Sequence, residues 1–122
     1  MNLKSIENFM AKFWDWTFLN KCFWPTTIRV TDIDGFVERN DQFLFIETKD
    51  PGVDIPLGQQ RLFDSVIRRG DSYMVIWGKQ GHPPYRLFFK SPTIVENNRN
   101  ATEDDIQRTV TLWFKRADQE KS

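Results

Sequence analysis

The chain has 122 residues, 39% of them hydrophobic and 15% aromatic, and its seventeen Lys and Arg balance seventeen Asp and Glu to a formal net charge of zero. Eleven Phe, five Trp and two Tyr supply the bulk for a closed core, which argues against intrinsic disorder, and the length suits one compact domain. One cysteine, Cys22, and one histidine, His82, exclude an internal disulfide and the usual structural zinc sites, so the chain reads as intracellular and cytoplasmic.

In chain order, Leu3, Ile6, Phe9, Met10, Phe13, Trp14 and Phe18 recur at three- and four-residue spacings, which predicts a helix ended before Pro25. Lys4, Glu7, Lys12 and Asp15 interrupt its apolar residues, so neither a membrane span nor a signal peptide is expected there. Thr26 to Lys49 turns β-branched and aromatic around the polar Arg39-Asn40-Asp41-Gln42, the pattern of a β-hairpin. With Asn40 and Asp41 as the two turn residues, Asp34 falls opposite Glu47 and Asp32 opposite Lys49. Asp50-Pro51-Gly52 and Pro56 mark a loop. Residues 57 to 70 then read as a helix stopped by Gly70, with Gln59, Phe63, Val66 and Ile67 on one face.

Ser72 to Trp77 is a nearly continuous apolar run, as in a strand buried on both faces. After a loop from Gly78 to Pro84, Arg86 to Lys90 is a short candidate strand. Thr102-Glu103-Asp104-Asp105 resembles a capping box with Asp in place of Glu and opens a last helix carrying Ile106, Val110, Trp113 and Phe114 at helical spacing. The order predicts an α/β fold, a small mixed β-sheet flanked by helices.

The charges are unevenly placed. Residues 32 to 54 hold seven acids against Arg39 and Lys49, whereas residues 61 to 90 hold six bases against Asp64 and Asp71. An acidic segment beside a basic one could hold a cation next to a polyanion. Alternation along the second hairpin strand puts Phe43, Phe45, Glu47 and Lys49 on one face and Leu44, Ile46 and Thr48 on the other. Opposed residues of an antiparallel pair have Cβ atoms about 4.5–5.5 Å apart, so Asp34 and Glu47 could share one ion. Carboxylate oxygens suit Mg²⁺ or Mn²⁺, ions that commonly act with phosphates, and Lys49 would project to the same spot. Taken alone, a Glu-x-Lys pair at a strand end is usually a solvated ion pair; the second and third acids on the facing strand make this one a net negative cluster.

This Asp…Glu-x-Lys arrangement resembles the PD-(D/E)XK nuclease superfamily. The resemblance rests on Asp34 within Thr31-Asp32-Ile33-Asp34-Gly35-Phe36, on Glu47-Thr48-Lys49 and on Gln59 in the following helix, and spans about residues 3 to 77. Ile33 stands where the family name has proline. The resemblance implies a restriction-endonuclease-like αβββαβ core and Mg²⁺-dependent hydrolysis of DNA, in a small phage-type or junction-resolvase-like member working in a bacterial cytoplasm. Asp34 and Glu47 would hold the metal, Lys49 would assist the attacking water and Gln59 would support the site. Asp32 is the alternative to Asp34, Gln60 the alternative to Gln59, and Glu7 a further carboxylate. Arg61, Arg68 and Lys79 are candidates for the DNA backbone. So small a chain would need a homodimer or a partner protein to grip an extended or branched substrate. The rival expectation is a nuclease-like module without turnover, an inhibitor or adaptor. No glycine-rich phosphate loop, GxSxG elbow or HExxH occurs.

Overall fold

The computed structural model describes residues 14–94 and 97–119. The chain divides into two units, residues 1–32 and 33–122.

In the first unit the expected helix lies mostly outside the described residues. What is described is a 3₁₀ helix, Thr17–Phe23, that stops at Trp24-Pro25. The Asp15 carboxylate accepts from the Thr17 N–H at 3.0 Å, and the Trp16 indole N–H donates to Asp32 Oδ1 at 2.8 Å. Residues 26–32 form no strand.

The second unit is a five-stranded mixed sheet with a helix on each face. Its strands, β1 (Gly35–Arg39), β2 (Gln42–Lys49), β3 (Ser72–Trp77), β4 (Arg86–Lys90) and β5 (Asn97–Asn100), lie in sequence order across the sheet. Only β2 and β3 run parallel, and the link between them is α1 (Leu57–Arg68); α2 (Glu103–Gln119) follows β5.

The hairpin adopts the expected register. Asn40 and Asp41 have φ of 51° and 64°, as a type I′ turn demands, and Arg39 pairs with Gln42 through to Gly35 with Ile46. A two-residue turn leaves no slack, so its position dictates every pairing that follows. The Asn40 side-chain amide donates to the Ala117 and Asp118 carbonyls at 2.9 and 3.2 Å, fastening the turn to the end of α2.

Alternation sorts the core into two layers. Leu44, Met74, Leu87 and Phe89 meet Ile106, Trp113 and Ala117 of α2; Tyr73, Val75, Trp77 and Phe88 meet Phe63 of α1. β3 is buried on both faces, in keeping with its continuous apolar run. Thr102 and Asp105 exchange bonds, Thr102 N–H to Asp105 Oδ2 at 2.9 Å and Asp105 N–H to Thr102 Oγ1 at 3.2 Å, so the capping box forms with Asp. Gly70, at φ 91°, ends α1 by donating to the Ile67 carbonyl at 2.9 Å.

Three expectations need correction, and one strand was missed. The described residues before α1 hold one hairpin, not the three-strand meander of an αβββαβ core, because residues 26–34 lie outside any ladder. Asp32 therefore has no ladder position opposite Lys49. β5 went unpredicted because Asn97-Asn98-Arg99-Asn100 has little intrinsic strand preference; its pairing with β4 supplies what propensity lacks. Phe114 is 44% exposed and is no core residue of α2, whose buried stripe continues through Ala117 instead. No helix among the described residues is long and apolar enough to cross a membrane.

Candidate active site: an acid pair beside Lys49

The parallel pair β2 and β3 ends on one side of the sheet, where the chain leaves β2 toward α1. Gly78 prolongs the pairing by donating its N–H to the Lys49 carbonyl at 3.1 Å. Glu47 and Lys49 occupy this end, and alternation puts both on the α1 face with Phe45. Clefts outside the carboxyl ends of parallel strands are where open α/β sheets place ligands.

Asp34 stands one residue before β1, where the register continued by one step faces Glu47. Its Oδ2 accepts from the Thr48 N–H at 2.8 Å and the Thr48 hydroxyl at 3.1 Å, so this carboxylate is anchored to the backbone of the Glu-x-Lys segment. Asp32 is held by Trp16 within the first unit. Glu7 lies outside the described residues.

Glu47 is 7% exposed. Burial, and then the neighbouring Asp34 carboxylate, push its pKa up from 4.5 to about 7, against a downward pull from Lys49. The two acids therefore interact directly, as their register anticipates. Tyr73 faces the same group: burial and the Glu47 charge raise the phenol well above its usual range, so it keeps its proton.

Three buried side-chain atoms among the described residues make no hydrogen bond of good geometry, and they are Glu47 Oε1, Gln59 Oε1 and the Tyr73 hydroxyl, although the Tyr73 phenol and the Glu47 carboxyl group lie close enough to act on one another. Tyr73 stands in β3 beside Phe45 and packs on Phe63 with ring centroids 3.8 Å apart; Gln59 lies one helical turn before Phe63. An unpaired buried polar atom costs about 1–3 kcal/mol, so a buried carboxyl group whose close partners are Tyr73 and a second acid calls for an explanation such as a ligand. Gln60 is otherwise engaged, its amide donating to the Ile55 carbonyl at 3.0 Å, which favours Gln59 of the two.

The donor set fits a hard divalent cation. It offers two carboxylates, one anchored and one with an unpartnered oxygen, whose mutual repulsion a cation would relieve. The described residues hold no group of three or more His, Cys, Asp or Glu suited to a metal, so the remaining coordination positions would fall to water and substrate oxygens.

Arg61 and Arg68 are exposed on α1, about 10 Å apart along its axis at 1.5 Å per residue, with Arg68 also donating to Ser65 Oγ at 3.0 Å. Arg61 stands in the first half of α1, the half that follows the loop from Lys49. Lys79 is exposed directly after the Gly78 that pairs with Lys49.

Two residues escaped the sequence reading. Tyr73 reads as plain core, and only the parallel register, which sets it beside Phe45 two positions from Glu47, gives it away. Phe36, paired with Phe45 and 62% exposed, is an aromatic surface two residues from Asp34.

No protein-family model matches the chain, and no curated protein or solved structure matches it either, so the reading of this site stands on its residues and geometry.

Proposed function

We propose that the protein is a metal-dependent nuclease that hydrolyses DNA phosphodiester bonds, acting as an endonuclease. The observation that carries this reading is the buried, partner-seeking carboxylate of Glu47 pressed against Asp34 with Lys49 beside them. A fold that seeks only stability does not bury one carboxyl group against a second, exposed carboxylate.

Asp34 and Glu47 would hold Mg²⁺, with Mn²⁺ able to substitute. Bound there, the ion supplies positive charge that offsets both carboxylates and polarises the phosphoryl oxygens. Lys49 orients the attacking water through its ammonium hydrogens and offsets charge growing on the phosphorus. Gln59 offers its carbonyl oxygen to a substrate or water proton. Tyr73, which retains its proton, is placed to steady the Glu47 carboxylate. Arg61, Arg68 and Lys79 are exposed cations for the DNA backbone, and their number is too small for bulk electrostatic binding by a chain of zero net charge. A homodimer or partner protein would extend the gripping surface.

The decisive experiment is cleavage of plasmid and branched DNA with and without Mg²⁺ or Mn²⁺, repeated with Glu47→Ala. Nicking that needs the metal and disappears in the variant supports the proposal; DNA binding with no cleavage under any of these conditions overturns it in favour of a module without turnover.

A further inference from the structure

β1 begins only at Gly35, so at Thr48 the outer edge of β2 has no ladder partner; on its other side Thr48 pairs with Ile76 of β3. The Asp34 carboxylate takes the open place. Its Oδ2 accepts from both donors of one residue, the Thr48 N–H at 2.8 Å and the Thr48 hydroxyl at 3.1 Å. Thr48 is the middle residue of the Glu-x-Lys segment, and alternation turns its side chain to the sheet face opposite Glu47 and Lys49. It therefore grips Asp34 from the side away from Glu47.

An ionised carboxylate has about four lone-pair sites, two on each oxygen. The two donors of Thr48 fill those of Oδ2, which leaves Oδ1 to face a cation. Asp34 so held offers a single oxygen. Glu47 brings Oε1, which makes no hydrogen bond of good geometry. Among the described residues no third acid joins the two, since they hold no group of three or more His, Cys, Asp or Glu suited to a metal.

We infer that Thr48 determines which ion the acid pair accepts, admitting Mg²⁺ and Mn²⁺ in preference to Ca²⁺. The inference rests on the reading of that pair as a metal site. Ca²⁺ gathers about six to eight oxygens in a flexible shell and often takes both oxygens of one carboxylate. Mg²⁺ demands near-ideal octahedral geometry and is usually held through one or two carboxylates, with water and phosphate oxygens completing the shell. For Asp34 to chelate with both oxygens, Oδ2 would have to turn a lone pair from Thr48 to the ion, so the contact penalises the calcium mode and leaves the octahedral one untouched. Any residue at position 48 would supply the N–H. The hydroxyl is the part that only Thr or Ser brings.

Titration calorimetry of the full chain with Mn²⁺, Mg²⁺ and Ca²⁺ at pH 8 tests this on the parent, Thr48→Val and Thr48→Ser. Thr48 is exposed, so neither substitution disturbs the core. The parent should bind Mn²⁺ about tenfold or more tightly than Ca²⁺. Thr48→Val keeps the shape and frees one lone pair of Oδ2, and should shift the ratio of the two affinities toward Ca²⁺ by about fivefold or more. Thr48→Ser, which restores the hydroxyl, should stay within about twofold of the parent ratio, as should Thr111→Val, which deletes a hydroxyl bonded to the Gln107 carbonyl on α2. A Thr48 that merely closes the strand edge would, on substitution, weaken all the ions alike and leave the ratio unmoved. That result, a parent that prefers Ca²⁺, or equal shifts in Thr48→Val and Thr48→Ser would overturn the inference while the nuclease proposal stands. A parent that binds none of the three ions would overturn both.

Discussion

Glu47→Gln isolates the electrostatics of the acid pair. The carboxyl is 7% exposed and titrates near 7 in the folded protein, against 4.5 when unperturbed, chiefly through burial and secondly through Asp34. Below pH 4.5 both folded and unfolded chains carry the proton. Between 4.5 and about 7 the unfolded chain has released it while the folded chain retains it, so stability falls as pH rises through that window and levels off above it. At 1.36 kcal/mol for each pH unit the window is worth about 3 kcal/mol. Gln keeps the shape and removes the titration. At pH 8 the variant should therefore be more stable than the parent by up to about 3 kcal/mol, or roughly 10 °C in Tm for a chain of this size, and the two should agree to within about 0.5 kcal/mol at pH 4. Urea unfolding of both proteins at pH 4, 6 and 8 measures this. Asp64 and Asp105 have lowered pKa values, from hydrogen bonds with Lys90 and Thr102 respectively, and lose stability as pH falls; they do so in both proteins and cancel in the difference. A stability difference that stays constant from pH 4 to 8 would refute the account. If Asp34 and Glu47 take up Mg²⁺, adding it at pH 8 should stabilise the parent and leave the Gln variant unmoved.

Lys49→Met should reduce metal-dependent cleavage about 100-fold or more and, because Lys49 opposes the rise in the Glu47 pKa, should move the Glu47 titration upward in a ¹³C-NMR experiment. Leu87→Ala, at a fully buried position between the sheet and α2, should cost about 2–5 kcal/mol in urea unfolding. Asn40→Ala deletes two hydrogen bonds to the end of α2 and puts Ala at φ 51°; a loss of about 1–3 kcal/mol is expected from the same measurement.

Much of the local structure was legible because it depends on neighbours in the chain. Asn40-Asp41 implies a two-residue turn, and the turn dictates the hairpin register, so the approach of Asp34 to Glu47 followed from counting. The capping box, the stop at Gly70 and the doubly buried β3 were legible for the same reason. Legibility ended where the partner lies far away in sequence. Tyr73 meets Glu47 only through the parallel pairing that α1 makes possible, and no spacing rule reports the register across a crossover. β5 exists because β4 has an edge to fill, whatever its asparagines prefer.

By itself, then, the order of residues determined which acids share a face, since alternation and turn geometry are properties of the backbone. Only tertiary packing decided that Glu47 would be buried and keep its proton toward neutrality, because desolvation is set by what α1 and β3 lay over it.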